Sequence, residues 1–121
     1  MKASVSLMDF VIVKTEFGDS YIAQIVGIKD RFINCLEVKI MACIYYPSQK
    51  ALLYKDAIKE RYPLEFGFIH KCSLNSIELY YGTIPEYYDI MARVLEETFL
   101  IETEADREIF ERHKRHWIGK G

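Results

Sequence analysis

A chain of 121 residues, half of them apolar or aromatic, carries enough core-forming side chains for one domain, 1–121, and too few for two. Its 16 basic and 18 acidic side chains nearly cancel, so no global field gathers nucleic acid or anionic membrane, and a partner must be chosen by local surface. No apolar run approaches the roughly 20 residues of a spanning helix, so membrane insertion is not expected.

Met1 to Met8 holds no apolar stretch of signal-peptide length and runs into Asp9, which points to a cytoplasmic protein. Three cysteines, Cys35, Cys43 and Cys72, cannot all pair within one chain. Cys35 and Cys43 share a face of one predicted strand and would lie about 26 Å apart along it, beyond disulfide reach. A reducing compartment fits that pattern.

Asp9 to Thr15 alternates Phe10 and Ile12 with Val11 and Val13, a strand, and Glu16 to Ser20 supplies a turn around Gly18. Tyr21 to Ile28 is a second strand, with Gly27 near its end marking a bend or bulge. Lys29-Asp30-Arg31 leads into the longest alternating run, Phe32 to Tyr46, which stops at Pro47-Ser48-Gln49. There Leu36, Val38, Ile40, Ala42, Ile44 and Tyr46 form an apolar row opposite Cys35, Glu37, Lys39, Met41, Cys43 and Tyr45. Only a pleated chain sends every second residue to one side, so one face is buried and the other partly wet. At about 3.3 Å per residue the run would span roughly 50 Å, so the strand is expected to bend and serve two halves of a small barrel.

Ser48 to Tyr62 mixes helix formers with loop-like polar density, giving a short helix that Pro63 ends. Leu64 to Cys72 reads as a fourth strand, Ser73 to Ser76 as a turn with one 3₁₀ turn, and Ile77 to Tyr81 as a fifth. Five strands at this spacing, the last two joined by a tight turn, predict a small SH3-like barrel over 9–82. The period then changes. Thr83 and Glu86 read as a capping box around Pro85, opening a helix whose stripe is Tyr87, Tyr88, Met91, Val94, Leu95 and Phe99. Thr103 with Asp106 opens a second helix with Ile109, Phe110, His113 and Trp117 on its apolar side, ended by Gly119. The fold class is therefore mainly β with C-terminal helices, α+β: a five-stranded barrel capped by two helices across 83–118.

Chemistry is sparse. His70 and Cys72 share a strand face, and a thiol beside an imidazole can become a nucleophile, but no oxyanion-donating glycine loop accompanies them. A buried thiol beside a partly exposed imidazole is the simpler reading. His113 and His116, three apart on a helix, could hold two positions of a metal site, yet no third ligand is placed beside them, and the default is a solvated basic helix end. No catalytic residue, metal or cofactor is therefore assigned. Sixteen Tyr and Phe rings could stack single-stranded nucleic acid, but Lys39 alternates with Glu37 and Lys71 with Glu65, which breaks any phosphate-binding row. An SH3-like nucleic-acid module using the Arg112-His113-Lys114-Arg115-His116 end stays as the alternative function.

The pairs Tyr45-Tyr46, Tyr80-Tyr81 and Tyr87-Tyr88 are more informative, because adjacent strand residues point oppositely and an outward aromatic is what protein interfaces use as an anchor. Tyr45, Tyr54, Tyr80 and Trp117 are the residues expected to meet a protein partner. The alternative is that the aromatics pack under the C-terminal helices. A second copy of the chain is also a candidate partner.

Three segments carry a resemblance: Tyr21-Ile22-Ala23-Gln24-Ile25, then Val38-Lys39-Ile40-Met41-Ala42 running into Pro47-Ser48-Gln49, and Tyr81-Gly82-Thr83-Ile84-Pro85-Glu86-Tyr87 with the helix through Glu97. With Glu60-Arg61-Tyr62-Pro63-Leu64-Glu65 between them, in this order, they resemble the kinase-associated protein B family of spore-forming bacteria. The resemblance implies a barrel-like β fold with helices. It also implies a non-catalytic accessory to a sensor histidine kinase that feeds the sporulation phosphorelay. This chain departs from the family after Gln49, where Lys50, Ala51, Leu52 and Leu53 replace a glycine, an acid, a leucine and a histidine, and it lacks the N-terminal cysteine of lipoprotein members.

Overall fold

The computed structural model describes residues 5–30, 35–49 and 60–120. Strand β1 is Phe10–Lys14, β2 Ser20–Asp30, β3 Cys35–Tyr45, β4 Ile69–Ser73 and β5 Ile77–Leu79. Helix α1 is Tyr87–Thr98 and α2 Glu104–Ile118, and one 3₁₀ turn, Leu74–Ser76, links β4 to β5. The class is α+β, as expected. The strands form one antiparallel sheet in the order β4-β3-β2-β1-β5. The linker Arg31 and the first residues of the expected long strand, 32–34, fall outside the described residues, as do Lys50 to Leu53, most of the expected short helix and Tyr54.

The link between β4 and β5 dictates the curl of the sheet. These strands occupy its opposite edges, which in a flat sheet of five strands would be about 19 Å apart at about 4.8 Å per step. Three residues of 3₁₀ helix, rising about 2 Å each, span roughly 6 Å. The sheet must therefore roll until its edges approach, and bulges supply the bend. Between β2 and β3 the register shifts four times, at Ser20/Tyr21, Ile22/Ala23, Ile25/Gly27 and Ile28/Asp30. The expected bend at Gly27 is one of them. A Cβ there would sit 2.6 Å from Glu37 Oε1, so a side chain at 27 would force Glu37 aside.

A bulge also marks where the alternation fails. Leu36, Val38, Ile40 and Ala42 are buried as predicted, but Cys43 is buried too and Ile44 is only partly so. One extra residue sits in β3 between Ile40 and Ala42 and leaves the alternation intact, while another, between Cys43 and Tyr45, lies where it breaks.

The fourth strand is shorter than predicted. Leu64 to Phe68 is not strand: Gly67 lies at φ +85°, its N–H donates to Ile40 O, and Phe68 N–H donates to Glu65 O. That left-handed residue makes a turn of a stretch whose Leu64-Phe66-Phe68 alternation mimics a strand. The fifth strand likewise ends at Leu79 rather than Tyr81, because beyond Leu79 only Tyr80 N–H, donating to Phe10 O, continues the edge.

Helix α1 starts later than predicted. Glu86 is itself the N-cap, its carboxylate accepting from Asp89 N–H, while Thr83 offers its carbonyl to the Tyr80 hydroxyl instead of capping. Its stripe is otherwise as expected, with Tyr87, Met91, Val94 and Leu95 buried against β3. Helix α2 opens on the predicted capping box: Thr103 Oγ1 accepts from Asp106 N–H, and Asp106 accepts from the backbone N–H of Thr103 and Glu102. It packs on α1 and closes the core with Ile109, Phe110, His113 and Trp117.

Candidate functional site

Two polar constellations and one cleft meet at the end of the sheet where β3 gives way to Pro47. The first runs from α2 into the core. Trp117 Nε1–H donates to Tyr46 Oη at 2.9 Å, Tyr46 Oη lies 2.5 Å from His113 Nδ1, and His113 Nε2 lies 3.1 Å from Glu60 Oε1. A carboxylate only accepts, so Nε2 must carry the proton and Nδ1 must accept from the tyrosine. The chain of donors then runs one way, from indole to phenol to imidazole to carboxylate. Tyr62 stacks flat on the imidazole, with ring centroids 3.8 Å apart and planes 3° from parallel. Arg112 Nε donates to the same Glu60 oxygen at 2.9 Å, and this hydrogen bond holds the carboxyl below its usual range.

This geometry corrects the reading of His113 as part of a solvated helix end, and it also leaves that imidazole unable to ligate a metal. His113 is fully buried and both its ring nitrogens are engaged, leaving no lone pair for an ion. Among the described residues no group of three ligands is assembled. Burial pushes the imidazole below its ordinary value of 6.5, against the raising pull of Glu60. A lowered value means that the unfolded chain binds the extra proton first, so stability falls as the pH drops below about 6.5. The urea midpoint is expected to decline between pH 7 and pH 5, with a shallower decline in His113→Gln. The Glu60 contribution is lost only lower, as the pH falls below 4.5.

The second constellation brackets one residue. Tyr21 Oη accepts from Leu64 N–H at 2.8 Å and Tyr87 Oη donates to Leu64 O at 2.5 Å, so phenols from β2 and α1 grip both backbone groups of Leu64. The Tyr21 hydroxyl in turn donates to the buried Asp19, which also accepts from Thr15 Oγ1. Beside it, the Gln49 side chain acts as a clip: Nε2 donates to Pro47 O and Arg61 O at 2.9 Å each, and Oε1 accepts from Arg61 N–H at 2.7 Å. The Arg61 guanidinium crosses back to Ser48 O and lies 4.2 Å from the centre of the Phe17 ring. Gln49→Ala removes all three clip bonds and is expected to lower stability by about 1–3 kcal/mol, read as a lower urea midpoint.

Above these groups lies a cleft of 670 Å³. One bank is Lys14, Thr15 and Glu16, the other His70, Lys71 and Cys72, and its apolar lining includes Phe17, Pro47 and Leu64. His70 and Cys72 do share the predicted face of β4, opposite Val38 and Leu36. Burial raises the Cys72 thiol above its ordinary value, so the thiolate that a nucleophile requires is disfavoured. Cys43 is buried deeper, and desolvation pushes it up to about 12. All three cysteines are free.

The predicted partner residues scatter. Tyr45 is half exposed, and Tyr80 is partly covered with its hydroxyl tied to Thr83 O. Trp117 is 6 % exposed and packs among Tyr62, Tyr87, Tyr88 and His116, so it is a core residue and presents no anchor. Tyr81, at 87 % exposure, is the outward member of its pair instead. Of the basic run, Arg112 is held by Glu60 and Lys114 by Glu96, which reduces the field that nucleic acid would meet. Among the described residues no helix is long and apolar enough to cross a membrane.

No protein-family model matches the chain, and no curated protein matches it. A solved structure does. The crystal structure of kinase-associated protein B from Bacillus cereus superimposes with a TM-score of 0.73 over 95 % of this chain and 99 % of that chain, at 18 % sequence identity. The chain has the kinase-associated protein B fold. On that fold the short segments that carried the resemblance acquire physical roles. Tyr21 and Tyr87 are the two phenols that grip Leu64, and the glutamine of Pro47-Ser48-Gln49 is the clip. At 18 % identity, what persists between the two chains is architecture.

Proposed function

We propose that this chain is a non-enzymatic, cytoplasmic accessory protein that binds a protein partner, a sensor histidine kinase or one of its regulators, in the sporulation phosphorelay. The supporting observation is the likeness to a kinase-associated protein along nearly the whole length of both chains. The chemistry of the side chains is consistent with that reading: the one thiol–imidazole pair holds a protonated thiol, and the one buried imidazole has both nitrogens engaged in holding α2. In this reading the curled sheet is an SH3-like barrel, a scaffold that presents loops and an edge to a partner.

The test is affinity capture from a lysate of the host with the chain immobilised, followed by reconstitution of the captured kinase and measurement of its autophosphorylation with and without the chain. Capture of a histidine kinase or its regulator, with a changed rate on addition, is the expected result. Turnover of any substrate in a small-molecule panel by the chain alone would overturn it, and so would a gel shift of nucleic acid that weakens steeply with salt.

A further inference from the structure

The cleft is the place where the rolled sheet fails to meet itself. Among the described residues strand β5 pairs only with Val11–Val13, and β1 has no strand neighbour on that side from Lys14 onward. Among the described residues strand β4, across the gap, pairs with β3 alone. Each bank contributes three consecutive residues, Lys14 to Glu16 and His70 to Cys72. Consecutive strand residues point to opposite faces, so it is the edge of β4, with its outward N–H and C=O groups, that borders the cleft. Such an edge is a template for another strand unless something covers it.

We propose that this seam receives an extended segment of a partner protein, added as a strand to β4, with an apolar side chain over Phe17 and Leu64 and carboxylates toward Lys14 and Lys71. This deepens the accessory reading and rests on it. The sign of the charge comes from the banks. Lys14 and Lys71 are exposed, and Arg61 lines the same cleft, while of the two acids Asp19 is buried with its carboxylate engaged by Thr15 and Tyr21, leaving Glu16 as the exposed anion. A second copy is the poorer fit. Antiparallel pairing of β4 with itself about its middle residue sets Lys71 opposite Lys71, and like charges directly opposite are unfavourable. Backbone hydrogen bonds would supply affinity and the lysines the choice of sequence.

The probe is a capped octapeptide of alternating valine and glutamate, compared with the same peptide carrying lysine for glutamate. Titrations are followed by anisotropy and by backbone amide shifts. The glutamate peptide should bind, shift the amides of Ile69–Ser73, and lose binding when every second peptide nitrogen is methylated. The double variant Lys14→Glu, Lys71→Glu alters two exposed side chains and should fold normally; it should bind the glutamate peptide about ten-fold more weakly and now prefer the lysine peptide. Binding of neither peptide, binding indifferent to the double variant, shifts away from β4, or a concentration-dependent dimer that occupies the β4 edge would each overturn the proposal. Capture of the kinase by the double variant as well as by the native chain would refute the seam while leaving the accessory role standing. Peptide binding without any kinase capture would do the reverse.

Discussion

Leu95→Ala is expected to lower stability by about 2–5 kcal/mol, and the melting temperature by roughly ten degrees or more, without changing the state of association. Leu95 is fully buried on the face of α1 that packs against β3, so truncating it leaves a cavity in the core of the chain itself. The apolar stripe of α1 could in principle have awaited a partner. It does not, because Met91, Val94 and Leu95 are covered within one chain, and a short connection from Leu79 to the Glu86 cap, braced by the Tyr80 hydroxyl on Thr83 O, holds the helix against the sheet. Thermal unfolding with sedimentation of the same samples checks this. An unchanged melting temperature combined with loss of a dimer would make α1 an interaction surface instead.

Tyr46→Phe should cost far more than one hydroxyl group ordinarily does. A typical hydrogen bond contributes about 1 kcal/mol, but this oxygen serves two buried partners at once. Its removal strands the Trp117 N–H and the His113 Nδ1 lone pair inside the core, each a loss of about 1–3 kcal/mol, so a total of about 2–6 kcal/mol is expected. Trp117→Phe is the internal control. It deletes the donor together with its need for an acceptor and leaves Tyr46 donating to His113, so it should lose packing but strand nothing. Urea denaturation of the two variants side by side gives the comparison, and an equal or smaller loss in Tyr46→Phe would show that the donor chain is not a unit.

What could be read from the sequence was what is decided locally. Alternation gave β1 and the stretch of β3 through Ala42 because buried and wetter positions take turns there, and Thr103 with Asp106 gave the start of α2 because both halves of a capping box lie three residues apart. The start of α1 was misplaced by one turn because Thr83 and Glu86 both have capping chemistry, and only the Tyr80 hydroxyl, by taking the Thr83 carbonyl, separates them. Phe66 and Phe68 continued a period-two pattern that Gly67 interrupts, and a glycine reads the same in a strand as in a turn.

The donor chain was invisible for a different reason. His113 meets Tyr46 67 residues away and Glu60 53 residues away, and no local pattern encodes such meetings. One sign was available: His113 sits four residues after Ile109 and four before Trp117, in the middle of an apolar stripe, where a histidine needs buried partners on both nitrogens. The cleft was equally illegible, since its banks belong to strands that are adjacent only because the sheet rolls.

The pairing of β1 with β5 sets the order in which this chain can assemble. Val11 must find Leu79 and Val13 must find Ile77, contacts that span more than half the sequence, and closing so long a loop is entropically unfavourable until the intervening strands have brought the ends together. The hairpin of β1 and β2 and its extension to β3 can form early, but the β1 edge stays open to other chains until β5 arrives. On the ribosome that interval lasts until residue 79 has emerged. The helices that seal the core come later still, which makes the time between synthesis of β3 and synthesis of α2 the period in which this protein is most exposed to aggregation or to a chaperone.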